Sequence, residues 1–475
     1  MTSLPSGFLS RAAAVVGGPF VLQDAYARLT YGTDGTKQGS PADLVVLPGS
    51  TEEVAQLARL CDAERVPLIV RGAGTGYTGG AVPTRGGVLM SLERMNRILE
   101  IDQVNLLARV QPNVVTGDLQ DAVEKLGLFY PPDPASLRQS AIGGNVAECA
   151  GGPRAFKYGT TKRYVLALEA VLPTGEIIHT GSKAVKNVVG YDLTQLLVGS
   201  EGTLAILTEI TLRLIPKPAA HATLLAEFAG ITQAVDAVTQ LIQRRVVPAA
   251  VEVIDEDSLR ALARHTGAAM AEPGTSAVLI VEVDGSPEAV GPEILLVEEA
   301  CRAARAVAIK RAASEAGRDE IWRLRRELSP ALKNISSIKL NNDVVVPRGR
   351  VPELFRLIGE IRQESGLPIA SFGHAGDGNI HVNIMIPEDP ARTGLNGALE
   401  RGERAVRRLF EGVVALEGSI SGEHGIGFTK APYLALELSA DEIALMRRVK
   451  AAFDPHGILN PGKIFPDGTG GRRPE

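Results

Sequence analysis

The chain of 475 residues, 45% hydrophobic and 22% charged, is long enough to bury a large core without disulfides. Its composition excludes collagen, coiled coil and wholesale disorder. A net charge of −5 gives no basic stripe for nucleic acid, and three scattered cysteines (Cys61, Cys149, Cys301) exclude both a disulfide framework and a self-contained iron–sulfur cluster.

Residues 1–40 read as a helical segment with a glycine-punctuated exit at Gly32, Gly35 and Gly39. The opening residues carry one Arg and no clean apolar stretch, and read as a mature start in a reducing, cytoplasmic setting, without a signal peptide. No run of 18 apolar residues suggests a spanning helix. Leu44–Leu47 predicts a short strand, and Ser50 or Thr51 predicts the cap of a helix over 52–64, with Glu52 and Glu53 in its first turn. Leu68–Val70 predicts the next strand. Up to about residue 216 the pattern is short strands between glycine-rich turns. Ile210–Ile215 alternates like a strand, and Pro216 and Pro218 then break the pattern. Beyond that boundary, helical stretches at 231–245, 287–308, 314–328 and 350–365 alternate with apolar strands at 278–283 and 344–346, which predicts an α+β domain. Helices over about 396–417 and 440–453 flank a glycine-rich segment, and 467–475 reads as a polar tail.

Glycine is the compositional outlier, 51 residues against about 7% in an average chain. Five windows (71–87, 143–159, 175–202, 373–378 and 418–427) hold 24 of the 51. The first contains Gly74-x-Gly76-x-x-Gly79 after a predicted strand. A dinucleotide fingerprint would have to open a helix there, and Ala81-Val-Pro-Thr-Arg-Gly-Gly cannot. What remains is an anion-binding concavity of successive backbone N–H groups, or a tight surface turn. Two more segments, 131–152 and 198–206, suit neither a helix nor a strand interior and read as backbone wrapped around a long ligand.

In chain order these stretches are Pro-Leu-Ile-Val-Arg-Gly-Ala-Gly-Thr-Gly (67–76), Pro-Pro-Asp-Pro-Ala-Ser (131–136), Ile-Gly-Gly-Asn-Val-Ala-Glu (142–148), Lys-Tyr-Gly (157–159), Pro-Thr-Gly-Glu (173–176) and Gly-Ser-Glu-Gly-Thr-Leu (199–204). In this order and spacing the chain resembles the vanillyl-alcohol-oxidase/PCMH-type flavoprotein family. Within it, the match runs to about Phe465 and leans toward glycolate oxidase GlcD subunits and bacterial D-lactate and D-2-hydroxyglutarate dehydrogenases. The resemblance implies an α+β fold: an N-terminal helical segment (1–40), a PCMH-type FAD-binding domain of two α/β subdomains (41–217), an α+β substrate or cap domain (218–410), and a helical C-terminal segment that completes the site (411–466). It implies FAD held by Arg71, Gly72, Ala73, Gly74, Thr75, Gly76, Pro132, Ser136, Gly143, Gly144, Asn145, Gly152, Gly202 and Ile206. No histidine precedes His179, so the FAD is expected to be non-covalent.

Three of the seven histidines fall in two segments, His374 and His381 in Ser371–Met385, and His424 beside Glu423 in Ser419–Gly427, with His456 and three others elsewhere. Ile380, Val382, Ile384 and Ile386 alternate with His381, Asn383 and Met385, so His381 is lifted out of an apolar layer on a strand, and His374 precedes a Gly-Asp-Gly turn that can fold back beside it. Two imidazoles and a carboxylate suit Zn, Mn or Fe(II), whereas satisfied structural histidines are the plain alternative. The resemblance implies His374, His381 and Glu423 as ligands of a divalent metal (Zn, with Mn or Fe as alternatives) and His424 as the base; Asp377 reads as a turn-former, and Asn383, on the face of His381, as a substrate contact.

A carboxylate substrate needs a guanidinium fork, and Ile321-Trp-Arg-Leu-Arg-Arg326 offers three. The resemblance points to Arg325. Arg326 stands where the family has Glu, which leaves open which of Arg323, Arg325 and Arg326 faces inward, against the alternative of a solvated helix face. The expected reaction is oxidation of a small (D)-2-hydroxy acid to the 2-oxo acid, with hydride to the flavin. Alternatives are a D-2-hydroxyglutarate dehydrogenase, an O2-using oxidase, or a non-catalytic flavin subunit. Electrons would leave to an iron–sulfur subunit, an electron-transfer flavoprotein, a cytochrome or a quinone, with peripheral membrane association and a homodimer left open.

Overall fold

The computed structural model describes residues 4–387 and 395–465. The polar tail read at 467–475 lies outside the described residues. The chain divides into two compact units. One comprises residues up to Gly151, Thr160–Lys217 and the chain from Glu423 on, and the other Gly152–Gly159 and Pro218–Gly422.

The first unit holds two main sheets. The strands Leu44–Val46, Val88–Ser91 and Leu68–Arg71 pair in parallel, and the short strand Val21–Leu22 closes one edge antiparallel. Parallel strands are covered on both faces, which is why these segments read as unbroken Val/Leu/Ile runs. Helix Thr51–Glu64 crosses between two of them. Ser50 Oγ caps it by accepting the Glu53 N–H at 3.2 Å, and Val54, Leu57, Ala58 and Cys61 pack against Leu44, Val46, Leu68, Val88 and Met90. The second sheet is antiparallel, in the order Ile98–Asp102, Leu107–Val110, Ile206–Arg213, Val165–Val171, Ile177–Gly181.

The second unit is built on one seven-stranded antiparallel sheet. Its order is Ala308–Arg311, Ala220–Phe228, Ala277–Gly285, Ala250–Asp255, Ile369–His374, Asn379–Ile386, Ile338–Val345. All eight residues of Asn379–Ile386 are buried. On one face, Ile386 and Leu340 meet helix Leu395–Ala415 at Gly402, where an added Cβ would come within 2.9 Å of both. On the other, Met385 and Phe372 join a cluster with Leu262, Leu324 and Leu328.

Several elements differ from the sequence reading. The N-terminal segment contains helices Phe8–Val16 and Ala25–Tyr31 with the strand Val21–Leu22 between them, so it joins the first sheet. Gly143 and Gly144 lie inside a helix, Ile142–Glu148, not in irregular backbone. The helix approaches so closely that a Cβ on Gly143 would sit 2.7 Å from Pro112 Cβ, so this glycine serves packing. The stretch read as one helix over 287–308 ends at Ala303, and Ala308–Arg311 adds an edge strand after Arg305 turns through a positive φ of 62°. Strands Ala220–Phe228 and Ala250–Asp255 were not expected. Among the described residues, no helix is long and apolar enough to cross a membrane.

Candidate active site

In the first unit, strand Leu68–Arg71 runs straight into the glycine-rich loop, and no helix follows it. Arg71 folds beneath the loop, donating from Nη1 to the carbonyls of Tyr31 (2.8 Å) and Thr33 (2.6 Å). Gly74, at φ +68°, passes over that guanidinium, and a Cβ there would sit 2.2 Å from Nη2. Arg71 thus supports the loop from below. A cavity of about 640 Å³ opens on the loop, lined by Arg71, Ala73, Gly74, Thr75, Tyr77 and Ser136 together with Asp34 and Gly35. That size suits a large organic ligand. Gly76 and Gly144 have no atom within 4 Å of an added Cβ and no positive φ, so the protein's own packing does not demand glycine at either. A backbone bare on its open side is what close approach of a pyrophosphate requires, and the residues fit FAD on that ground.

The other residues expected at the flavin divide by role. Asn145 is buried, and its amide donates to Thr116 Oγ1 at 2.6 Å, which fixes helix Ile142–Glu148. The carbonyl of Pro132 accepts from Gln120 at 2.8 Å. The side chain of Ile206 packs in the core of the first sheet, so only its backbone can face a ligand. Gly202 turns at φ +64°. Gly152 falls in the second unit, where its carbonyl accepts the Ala155 N–H at 2.9 Å.

The C-terminal segment folds with the flavin loop. The Glu201 carboxylate accepts the N–H groups of Ile426 (2.7 Å) and Gly427 (2.6 Å), and the Phe428 N–H donates to the Thr78 carbonyl at 3.0 Å. Burial pushes the Glu201 carboxyl above the usual range, and the two N–H donors oppose it. The Phe428 ring lies over Gly79, where a Cβ would be 1.9 Å from Cε1. The His424 ring sits 5.2 Å from the Tyr77 ring, and Gly151 makes room for the Glu423 carboxylate, whose Oε2 would be 2.6 Å from a Cβ there. Lys463 Nζ donates to the carbonyls of Gly79 and Val82, and burial pushes its ammonium down to about 8. Tyr77, Glu201 and Lys463 escaped the sequence reading. Only Glu201 had a signal, inside the already noted Gly-Ser-Glu-Gly.

In the second unit, His374 ends strand Ile369–His374 and His381 stands on the returning strand, across a four-residue turn. Asp377 Oδ1 accepts the Asn379 N–H at 3.3 Å within that turn. The two imidazoles meet edge to face, 5.2 Å between centroids, with ring nitrogens within 4.8 Å of each other. Two imidazole donors at that separation fit one divalent metal once a carboxylate joins them. The cross-strand partner of His381 is the fully buried Asp343, whose Oδ2 accepts the Gly422 N–H at 2.9 Å. Glu423 is the next residue in the chain.

Of Arg323, Arg325 and Arg326, Arg325 faces inward, 6% exposed, while the other two are exposed. Its Nε and Nη2 both reach Glu252 Oε2, at 2.6 and 2.5 Å, and its guanidinium lies 4.9 Å over the Phe372 ring. The other oxygen of Glu252 meets His374 Nδ1 at 2.5 Å. Glu252 itself is fully buried. Burial alone would raise its carboxyl, but Arg325 and His374 outweigh that and hold it down to about 2. Nothing in the sequence marked Glu252. Asn383 is fully buried as well. Its amide donates to the carbonyls of Ala370 (3.2 Å) and His381 (3.3 Å), and its oxygen accepts from Asn341 at 2.8 Å. These bonds tie neighbouring strands together. Trp322 is packing, with its indole N–H donated to Glu282. His179, His221, His265 and His456 are surface residues.

A cofactor-sized cavity beside a glycine-rich loop in one unit, and paired imidazoles with a buried guanidinium in the other, are the parts of a cofactor-dependent enzyme. Comparison with known proteins gives the class its family. Residues 42–181 match the FAD binding domain family and residues 217–464 the family of FAD linked oxidases, C-terminal domain. The chain is 42% identical over 452 residues to the glycolate oxidase subunit GlcD of Bacillus subtilis (strain 168), covering 95% of each protein. It is 37% identical over 434 residues to a D-lactate dehydrogenase of Anaerostipes hadrus, covering 89% of each. Among solved structures, p-cresol methylhydroxylase with substrate bound shares the fold, with a TM-score of 0.80 at 18% identity over 98% of both chains. The chain belongs to the FAD-linked oxidase family and is an FAD-dependent oxidoreductase related to 2-hydroxy-acid dehydrogenases.

Proposed function

We propose that the protein oxidises a small (D)-2-hydroxy acid, of the glycolate or D-lactate type, to the 2-oxo acid. The observation that carries this reading is the buried set Arg325–Glu252–His374, which places a carboxylate-binding fork and a metal-type imidazole on opposite oxygens of one glutamate. The names of the relatives support the substrate class. The Nε–Nη2 edge of Arg325 is taken by Glu252, so its Nη1 side is the one that would hold the substrate carboxylate. His374, His381 and Glu423 would hold a divalent metal, which when bound supplies Lewis acidity at the substrate hydroxyl. FAD, along the 71–76 loop, supplies the acceptor for the Cα hydrogen and its electron pair. His424, packed beside the Tyr77 ring, would take the hydroxyl proton. The reduced enzyme would pass its electrons to a partner protein or a quinone. Two relatives named as glycolate oxidase subunits favour a partner subunit.

The His424 assignment is tested by anaerobic stopped-flow. His424→Asn should bind FAD normally and reduce it about 10²–10⁴ times more slowly with every competent acid. A near-normal rate would overturn the base assignment.

A further inference from the structure

We infer that Glu252 is a positioning residue that sets both the metal-binding form of His374 and the orientation of Arg325, so that two separate affinities depend on one side chain outside either ligand set. The inference rests on the metal site proposed above. Glu252 stands directly across from His374 in the pairing of strands Ala250–Asp255 and Ile369–His374, and Arg325 comes from the last turn of helix Glu315–Arg326. A guanidinium only donates, and both bonds from Arg325 fall on Oε2. Oε2 is therefore committed to Arg325, and Oε1 is left for His374 Nδ1 at 2.5 Å. Beside a carboxylate that accepts on both oxygens, Nδ1 carries the proton and the Nε2 lone pair is the one that can ligate a metal. An acidic partner on the far nitrogen also raises the basicity of a ligating histidine.

The burial gives the arrangement its force. A carboxylate with no exposed surface is costly unless it is fully paired, and an apolar residue would fill the same core position at less cost. Phe372 shares the Arg325 partner, with its ring 4.9 Å from the guanidinium and 5.6 Å from the His381 ring. Glu252 is thus held by three bonds from two residues, one a candidate metal ligand and the other a candidate substrate clamp.

Glu252→Gln keeps the shape but puts an amide donor against either Nδ1–H or the guanidinium. Zn²⁺ titration of the metal-stripped, flavin-loaded protein by calorimetry should show affinity about 10–100-fold weaker in Glu252→Gln. KM for the hydroxy acid should rise as well, and Glu252→Asp should recover part of both. Unchanged Zn²⁺ affinity in Glu252→Gln, with the unsubstituted protein binding Zn²⁺, would overturn the role of Glu252 and leave the metal site standing. No Zn²⁺ binding by the unsubstituted protein would overturn the metal site and this inference with it. Should Glu252→Gln fail to fold, ¹⁵N-histidine spectra of the unsubstituted protein decide the matter. His374, identified by the signal lost in His374→Asn, should show the Nδ1–H form, and the Nε2–H form would overturn the inference.

Discussion

The two units build their candidate sites in opposite ways. In the flavin unit the glycine loop offers backbone: a Cβ on Gly74 would strike the Arg71 guanidinium beneath it, and open space surrounds the place of one on Gly76. In the second unit polar side chains are brought together in the interior, with Arg325, Glu252 and His374 joined in one buried chain of bonds. A backbone cradle is sequence-tolerant except where a Cβ would collide. A buried ion network has no slack, because removing one member leaves another charge unpaired.

That contrast can be broken by substitution. Arg325→Met should cost about 3–5 kcal/mol of stability, measured by denaturant unfolding, because it strands the Glu252 carboxylate in the core. A loss near zero would mean that the network is not the rigid part of its unit. Gly79→Ala should cost about 2–4 kcal/mol, since the new Cβ meets the Phe428 ring at a backbone φ of +80°. Gly76→Ala should leave unfolding within about 0.5 kcal/mol, because nothing lies within 4 Å of its Cβ. It should still weaken FAD binding about tenfold, read from flavin content after dialysis, by crowding the open side of the loop. If Gly76→Ala destabilised the fold and kept its flavin, the loop would be a turn and not a cradle.

The same contrast governs how much is legible in the sequence. Glycine is unlike any other residue, so its clustering at 71–87 and 418–427 marks the cavity loop and the His424 turn in the amino-acid pattern alone. The alternation Ile380–Ile386 reveals the strand that carries His381, because period two leaves a visible trace. What the pattern cannot show is that helices cover both faces of that strand, and this is why Asn383 became a cross-strand tie. Gly143 marks the limit of reading glycine as irregular backbone, since its lack of a side chain lets a helix press against Pro112. The buried acids Glu252 and Asp343 are invisible, because a carboxylate's letter is the same in the core as on the surface. Only the tertiary pairing of strands separated by more than a hundred residues brings Glu252 to His374.

The central claim, that this flavoprotein oxidises a small (D)-2-hydroxy acid, is tested most directly by anaerobic bleaching of the bound flavin against a panel of 2-hydroxy acids in both enantiomers. The account predicts that the flavin absorbance is lost with glycolate or with the D form of a short acid, and that the L forms leave the spectrum unchanged. A flavin that stays oxidised with every member of the panel, in protein loaded with FAD and a divalent metal, would contradict it.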